Sequence, residues 1–331
     1  MNHAHEMHLP GAPPPSGTAA GIAEPEAGSA PPGRTPDEAS LLSPEIVGRL
    51  GRLSVLARKV ASARRSGRRR TRRLGGGIET IDLRPYEVGD DPRRIAWHAY
   101  ARLERLLVRL VADEAPLRLV LVVDQSASMH FGAPTKLRQA ARIAAGFAAV
   151  ALGGEDKVAL AVGSGGEALA LRPVSGRAGL PRLLTTLDRL AAVGHTDLPA
   201  AVRAALDAAP GRGLAVILSD LFEPQGVLAG AREARRRGHE VAIIEVLAPF
   251  EIEPPDLSGF DLEDEETGEL VELPEHGMRE RFQQALALHR ERIQEAARSI
   301  DAVVVRATTD EPFETIVTRA LGAGLLGGAP R

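Results

Sequence analysis

The most informative segment of the chain reads Leu117-Arg-Leu-Val-Leu-Val-Val123 and continues directly into Asp124-Gln-Ser-Ala-Ser128. A short run of apolar, mostly branched residues is typical of a strand buried on both faces of a parallel sheet. The Asp-x-Ser-x-Ser that follows offers one carboxylate and two hydroxyls at the carboxyl end of that strand. Ligands of open α/β sheets bind at this edge, and hard oxygen donors suit a small, hard cation such as Mg²⁺. The segment therefore predicts both a buried strand and a metal site.

Strand and helix patterns alternate downstream of this segment. We predict strands over 157–163, 168–172, 214–218, 241–247 and 302–306, and helices over 135–152, 180–190, 198–209, 227–237, 283–300 and 311–321. This alternation predicts an α/β fold with a doubly wound, mostly parallel sheet. An acidic stretch at 260–273 interrupts it, and we interpret that stretch as a β-hairpin turning at Thr267-Gly268.

Composition divides the chain into three predicted parts. Residues 1–40 are rich in Pro, Gly and Ala, and we expect disorder there because few large apolar side chains are present to offset the ordering entropy. Residues 41–115 are predicted to hold a helix over 43–63, an Arg-rich loop over 64–73 and a small β-containing module. Residues 116–324 form the predicted α/β domain, with the acidic hairpin as an insertion at 249–275.

Composition also excludes several classes of protein. The formal net charge of −3 over 331 residues gives no overall field that favours nucleic acid or a membrane surface. Cysteine is absent, so disulfides, thiol nucleophiles and thiolate metal sites are excluded. No apolar run approaches the roughly 20 residues that span a bilayer, and the N-terminus lacks the pattern of a signal peptide. We therefore expect a cytoplasmic protein with no membrane partner.

The charges are nevertheless segregated along the chain. Residues 46–78 contain eleven Arg or Lys and no acidic residue, whereas residues 245–277 contain twelve Asp or Glu and no Arg or Lys. Because opposite charges attract, we interpret the two blocks as surfaces that meet within the fold. A surface for a partner is the alternative interpretation.

Two further segments supply oxygen donors at matching places. The segment 194–198 contains Thr196 just before a predicted helix, and Asp220 follows the predicted strand 214–218. In a parallel sheet both would lie at the same edge as Asp124. Alone, Thr196 could cap a helix and Asp220 could serve a turn. The three segments together favour a metal site.

Together these segments resemble the metal-ion-dependent adhesion site of von Willebrand factor A domains. The resemblance implies Mg²⁺ (or Mn²⁺) as the cofactor, with Ser126 and Ser128 as direct ligands and Thr196 as a conditional one. It also implies that Asp124 and Asp220 hold water molecules and that a partner protein's Asp or Glu completes the octahedron. The segments that carry the resemblance are Asp124-Gln-Ser-Ala-Ser-Met129, Gly194-His-Thr-Asp-Leu198 and Ile217-Leu-Ser-Asp220.

The upstream block narrows the resemblance to one family. Residues 77–97, with 101–102 and 107–109, resemble the domain of unknown function fifty-eight family, and the resemblance covers about residues 43–321. Members commonly accompany MoxR-type AAA+ ATPases, so the resemblance implies such an ATPase or its client as the protein partner. One departure from the adhesion-site pattern is Leu221, where many such domains have Gly, which leaves the shape of that loop open.

The upstream block also contains a set of residues with a structural or partner-binding role. We interpret the set as scaffolding, in which Asp90 pairs with Arg93 and the buried ring of Trp97 anchors the β module. A polar recognition surface beside the metal is the alternative. The set comprises Arg84, Tyr86, Gly89, Asp90, Arg93, Trp97 and Arg102.

These observations favour a non-enzymatic module that binds Mg²⁺ and a partner's carboxylate. A phosphohydrolase with Asp124 as nucleophile is an alternative, but phosphatases of the haloacid dehalogenase type carry a second Asp where this chain has Ser126. Common hydrolase and phosphate-loop motifs are also missing. Nucleic-acid binding through the seven arginines of 64–73 is a further alternative. We do not expect it, because aromatic residues make up only 3% of the chain and base-stacking platforms are scarce.

Overall fold

The computed structural model of the protein describes residues 40–70, 83–109, 117–154, 156–164, 167–254, 261–263, 270–272 and 278–323. The helices are α1 Pro44–Arg70, α2 Trp97–Leu103, α3 Lys136–Gly153, α4 Leu180–Asp188, α5 Leu198–Ala208, α6 Pro224–Arg236, α7 Pro249–Ile252, α8 Met278–Ser299 and α9 Phe313–Gly322. The strands are β1 Leu83–Pro85, β2 Leu107–Arg109, β3 Arg118–Val123, β4 Lys157–Ser164, β5 Glu167–Ala170, β6 Val174–Ser175, β7 Gly213–Ser219, β8 Glu240–Leu247, β9 Asp261–Glu263, β10 Leu270–Glu272 and β11 Ala302–Thr308. Within these ranges, no helix combines the length and apolar composition needed to cross a bilayer.

The main sheet has the strand order β11-β8-β7-β3-β4-β5, and β6 pairs with the first two residues of β4. Neighbouring strands from β11 to β4 run parallel, whereas β5 and β6 pair antiparallel with β4. The predicted fold class, an α/β fold with a doubly wound and mostly parallel sheet, is therefore confirmed. From β3 the chain first moves outward to β4, and it later returns to the other side of β3 as β7. The point where the strand order reverses thus lies between β3 and β7, where ligands of such sheets bind.

Strand β3 is buried on both faces because helices cover both sides of the sheet. Leu119 and Leu121 belong to the apolar layer that includes α3, α4 and α9. Val120 and Val122 belong to the opposite layer, which includes α5 and α6. Alternate side chains of a strand point to opposite faces, so a continuous apolar run fills both layers. The interpretation of this run as a fully buried strand is confirmed.

Helix α1 packs into the same core, against α3 and α9. Its buried apolar side chains are Ile46, Leu50 and Leu53, and Leu41 just before the helix joins them. The predicted helix over 43–63 is confirmed, but the predicted loop over 64–73 is wrong as far as Arg70, because the helix continues to that residue. Arginine is among the better helix formers, so an Arg-rich sequence extends a helix that has already started.

The carboxylate of Asp188, at the end of α4, binds the two residues Ser40 and Leu41 that precede α1. It accepts hydrogen bonds from Leu41 N (2.8 Å), from the Ser40 hydroxyl (2.9 Å) and from Arg138 of α3 (2.8 Å). Burial alone would raise the pKa of Asp188, but these three donors outweigh it and hold the pKa below its ordinary value. The start of α1 is therefore tied to two other helices.

The acidic stretch forms the predicted β-hairpin. Strands β9 and β10 pair antiparallel, with Leu270 opposite Glu263. The predicted turn at Thr267-Gly268 and residues 1–39 of the segment 1–40 that we expected to be disordered lie outside the described residues, whereas Ser40 is ordered and bonds to Asp188.

The small upstream module consists of the antiparallel pair β1–β2 and helix α2. Asp90 binds the guanidinium of Arg84 and accepts a hydrogen bond from Glu87 N (2.9 Å). The Arg93 side chain is exposed, and the expected pair of Asp90 with Arg93 stays a prediction. Trp97 is not the buried anchor that we expected.

Trp97 is 58% exposed, and its ring packs edge-on against Tyr100, with the ring centroids 6.3 Å apart. Helix α2 buries none of its side chains, so a tryptophan on it stays at the surface. The remaining members of the upstream set lie nearby. Tyr86 N bonds to Leu106 O (3.0 Å), Gly89 has a φ of 115°, and Arg102 is exposed in the last turn of α2.

Candidate metal-binding site

Asp124 immediately follows β3, and each oxygen of its carboxylate accepts one hydrogen bond from a neighbour. Oδ1 accepts a hydrogen bond from Ser126 N (2.9 Å), and Oδ2 accepts one from the Ser219 hydroxyl (2.6 Å). The Asp124 amide donates to Leu218 O (2.9 Å), so the ladder between β3 and β7 continues into the site. The carboxylate is buried and fixed in orientation by these bonds.

Ser126 and Ser128 bring two hydroxyl oxygens close together. A 3-10 helix at Ala127–His130 turns the chain after Asp124, and the two hydroxyl oxygens lie 3.1 Å apart. Adjacent oxygens of an octahedral Mg²⁺ shell, each at about 2.1 Å from the metal, are separated by about 3.0 Å. The spacing of the two hydroxyls therefore fits two neighbouring ligands of one cation.

Thr196 lies in a second loop, between α4 and α5, which is held against the first. Its hydroxyl oxygen accepts a hydrogen bond from Gln125 N (3.2 Å). Backbone bonds from Ala127 N to Gly194 O (2.8 Å) and from Val193 N to Gln125 O (2.8 Å) join the two loops further. The loops thus meet as a short ladder, and Thr196 is buried beside the Asp124 loop.

Asp220 follows β7 and contributes the second carboxylate. Its Oδ2 accepts a hydrogen bond from Lys136 Nζ (2.8 Å), and its Oδ1 accepts one from Phe222 N (3.3 Å). Lys136, the first residue of α3, has no exposed side-chain surface and also donates to Glu251 Oε1 (2.7 Å). The ammonium group of Lys136 therefore lies at the edge of the candidate site, in contact with Asp220.

Leu221 adopts the left-handed conformation that a glycine would favour. Its φ is 63°, and its side chain is buried. The loop is held by bonds from Leu221 N to the Ser219 hydroxyl (3.1 Å) and from the His289 ring to Leu221 O (2.9 Å). The backbone thus keeps a conformation typical of glycine, and the buried side chain offsets the strain of about 1–2 kcal/mol.

The donor set suits Mg²⁺ or Mn²⁺ and no soft metal. Two carboxylates and three hydroxyls are hard oxygen donors, and nitrogen and sulfur donors do not take part. In the described part of the chain, no three His, Cys, Asp or Glu side chains group closely enough to hold a metal. Hydroxyl ligands must therefore supply much of any metal shell here.

Asp124 follows β3, Asp220 follows the neighbouring strand β7, and Thr196 accepts a bond from Gln125 N, so the three segments lie at the edge where the strand order reverses. Three neighbours were missed by sequence reasoning, namely Ser219, Lys136 and Glu251. Ser219 stands beside Asp220, and its place at a strand end is a usable signal. Lys136 and Glu251 are far apart in sequence, so no local pattern could have joined them.

Comparisons with known proteins show where the chain belongs. The uncharacterized protein Rv1480 of Mycobacterium tuberculosis is 31% identical over 266 residues, covering 77% of this chain and 83% of that protein. The uncharacterized protein MAV169 of Mycobacterium avium is 35% identical over 144 residues, covering 42% of this chain and 83% of its own.

Two solved structures are similar at low identity. The conserved hypothetical protein BatB from Bacteroides thetaiotaomicron is 16% identical with a TM-score of 0.42, over 62% of this chain and 98% of that one. The SpRpn10 VWA domain is 10% identical with a TM-score of 0.37, over 66% of this chain and 100% of that one. A sequence profile matches residues 82–292, and the chain therefore belongs to the family described as "Protein of unknown function DUF58".

Proposed function

We propose that the protein is a non-enzymatic interaction module that binds Mg²⁺, or Mn²⁺ in its place, and a carboxylate of a partner protein. The proposed partner is a MoxR-type AAA+ ATPase or its client, and this chain acts as the adaptor that recruits the client. When bound, the cation supplies an open coordination position for the partner's Asp or Glu. The protein supplies the hydroxyls and carboxylates that hold and orient the cation.

One observation carries the proposal. Asp124, Ser126, Ser128 and Thr196 belong to two loops that hydrogen bonds join, and Asp220 follows the strand that pairs with β3. Four of the five are buried, yet all of them are polar. Their hydrogen bonds hold these oxygen atoms in fixed orientations, and a concentration of hard oxygen donors at the ligand-binding edge of the sheet supports a binding role.

Exposed aromatic rings beside the site support a protein as the partner. Phe131, Phe222 and Phe250 are 37%, 48% and 42% exposed, and the Phe131 and Phe250 rings lie 5.8 Å apart. Two of these rings, Phe131 and Phe222, also lie within 6 Å of the Lys136 ammonium. Aromatic side chains are enriched in protein interfaces. We therefore expect an apolar residue next to the acidic residue of the partner.

The bonding of Asp124 favours binding over phosphoryl transfer. A nucleophilic carboxylate needs an oxygen that is free to attack and an acid–base group close by. Both Asp124 oxygens already accept hydrogen bonds, from Ser126 N and from the Ser219 hydroxyl. Two residues further on, the chain offers a serine hydroxyl in place of a carboxyl group. These contacts orient Asp124 as a holder of the metal shell.

A pulldown with the purified ATPase tests the proposal. Wild-type protein should retain the ATPase in Mg²⁺ and lose it when EDTA removes the metal. Asp124→Ala should fail to retain it in either buffer, since the metal site is incomplete. Retention that ignores both EDTA and the Asp124 substitution would rule out a metal-bridged contact.

A matched control comes from the same loop. Asp197 is exposed and caps α5 through a bond from Ala200 N (2.9 Å). Asp197→Ser removes a nearby charge and keeps a capping oxygen. This variant should retain the ATPase as the wild type does, which separates the metal site from a general loss of acidic charge.

A further inference from the structure

Lys136 is a buried lysine at the edge of the site and is not one of the proposed metal ligands. The Lys136 side chain has no contact with water, and its ammonium group bonds to Asp220 at 2.8 Å and to Glu251 at 2.7 Å. A buried ammonium group is stable only when it is paired with anions and hydrogen-bonded. Asp220, which we propose to serve the metal, is therefore shared with a cation that belongs to the protein.

The surroundings hold this lysine in place. It starts α3 directly after Thr135, whose hydroxyl caps the helix by accepting a bond from Arg138 N (3.2 Å). The second oxygen of Glu251 accepts a bond from Ala248 N (2.7 Å), which orients that carboxylate. The ring of Phe222 covers the ammonium group, with its centroid 4.5 Å from Nζ. The charge thus sits at a fixed position that water does not reach.

The charge of the cluster decides how strongly it attracts a metal. Asp124 and Asp220 follow neighbouring strands and Glu251 shares Lys136 with Asp220, so the three carboxylates and the one ammonium group sum to a net charge of −2. A bound divalent cation brings that total to zero. Without the lysine, the same carboxylates would attract the cation more strongly and would leave a net negative charge after it bound.

We propose that Lys136 is a built-in counter-cation of the metal site, which weakens resting metal binding and keeps the loaded site electrically neutral. This inference rests on the proposed function, because it concerns the same cation and the same partner carboxylate. A neutral loaded site accepts an anionic side chain without Coulomb repulsion from the carboxylates of the protein. Lys136 acts through Asp220 and is therefore a positioning and charge-setting residue.

Titration calorimetry with Mg²⁺ alone tests the inference on four forms of the full chain. They are the wild type, Lys136→Met, Glu251→Gln and the double variant. Methionine keeps an unbranched apolar stem of similar length under Phe222 while removing the charge. Glutamine keeps the hydrogen-bonding shape of Glu251 while removing its charge.

The three variants have distinct expected results. Lys136→Met should bind Mg²⁺ about tenfold more tightly than the wild type, because one positive charge is removed from a poorly solvated site. Glu251→Gln should bind about tenfold more weakly, because one negative charge is removed there. The double variant restores the net charge, so its affinity should return to within about threefold of the wild type. A purely structural role for Lys136 would weaken binding in every variant.

A remote control uses the same chemical change. Glu233, on α6, accepts bonds from Arg236 and Arg237 near the end of that helix (2.9 and 2.7 Å). Glu233→Gln should leave the Mg²⁺ affinity unchanged, since α6 starts near Asp220 and Glu233 lies close to its other end, shortly before the start of β8.

The possible outcomes separate the inference from the proposed function. If the wild type binds Mg²⁺ and Lys136→Met binds it no more tightly, the inference fails and the proposed function stands. If no form binds Mg²⁺, both fail. Where circular dichroism shows that Lys136→Met is unfolded, the double variant is compared with Glu251→Gln: it should bind Mg²⁺ about tenfold more tightly, and equal or weaker binding overturns the inference.

Discussion

The Ser219 hydroxyl donates a 2.6 Å hydrogen bond to Asp124 Oδ2 and so joins the ends of two neighbouring parallel strands. The same hydroxyl accepts a bond from Leu221 N (3.1 Å), which ties the next loop to it. Ser219 therefore orients a carboxylate of the candidate site without being a proposed ligand itself. Residues in this position commonly change metal affinity by about 10- to 100-fold when they are replaced.

We expect Ser219→Ala to weaken Mg²⁺ binding by about tenfold in titration calorimetry. It should also lower the free energy of unfolding by about 1–3 kcal/mol, because a buried carboxylate oxygen loses its donor. Ser299→Ala is a suitable control, since the Ser299 hydroxyl bonds only to a carbonyl of its own helix at the surface. Wild-type affinity in Ser219→Ala would contradict the orienting role.

Two substitutions of Leu221 compare the cost of its strained backbone with the stabilisation from its buried side chain. Its φ of 63° disfavours every side chain, while its buried side chain stabilises the fold. Leu221→Ala loses the burial and keeps the strain, whereas Leu221→Gly loses both. We therefore expect urea unfolding to show Leu221→Gly as more stable than Leu221→Ala by about 1 kcal/mol. The usual order, in which alanine is the more stable, would contradict the strained backbone.

Two helical glycines are expected to respond in opposite directions to alanine. A Cβ at Gly146 of α3 would lie 2.8 Å from Val317 Cγ2 and 3.3 Å from Leu53 Cδ2, whereas a Cβ at Gly51 would meet nothing within 4 Å. Gly146→Ala should therefore destabilise the protein by about 1–3 kcal/mol. Gly51→Ala should stabilise it by about 0.5–1 kcal/mol through helix propensity. Thermal unfolding of the two variants compares them directly.

His239 should make stability depend on pH. Burial lowers the pKa of His239, and although a bond to the Gly211 carbonyl opposes this, Arg118 and Arg237 reinforce it. The ring Nδ1 is buried and finds no partner among the described residues. In the unfolded chain the ring has its ordinary pKa of about 6.5 and takes up a proton below that pH. The folded ring takes up a proton less readily, so unfolding binds a proton in the range just below that pH.

The stabilising contribution of His239 is therefore complete above about pH 6.5 and decreases as the pH falls below it. We expect a loss of up to about 1.4 kcal/mol per pH unit just below pH 6.5, measured by urea unfolding. His239→Asn should remove this part of the slope, so the difference between wild type and variant isolates the residue. Parallel curves for the two proteins over this range would contradict the prediction.

The regular part of the fold was predictable because its signals are local. The apolar run of β3 and the helical spacing before and after it depend on short windows of sequence, and the structure places these elements within a few residues of their expected ends. The candidate site was also predictable in outline, because carboxyl ends of parallel strands always meet at one edge.

The errors have physical causes that lie outside short windows. Trp97 is large and apolar, which favours burial, but the helix that carries it covers no core and leaves the ring exposed. The arginines after residue 63 suggested a loop by their charge, yet arginine favours the helical backbone that the chain adopts as far as Arg70. Lys136 was overlooked because its partners, Asp220 and Glu251, are 84 and 115 residues away in sequence.

The packing of α1 has a practical consequence for dissecting the chain. A fragment that begins at residue 117 contains every strand of the main sheet, yet it lacks Leu41, Ile46, Leu50 and Leu53. Without them, the groove between α3 and α9 would open to water, and Asp188 would lose the donors supplied by Ser40 and Leu41. We therefore expect a fragment that starts at residue 117 to be less stable than one that starts at Ser40, because the segment before the sheet covers the apolar faces of α3 and α9.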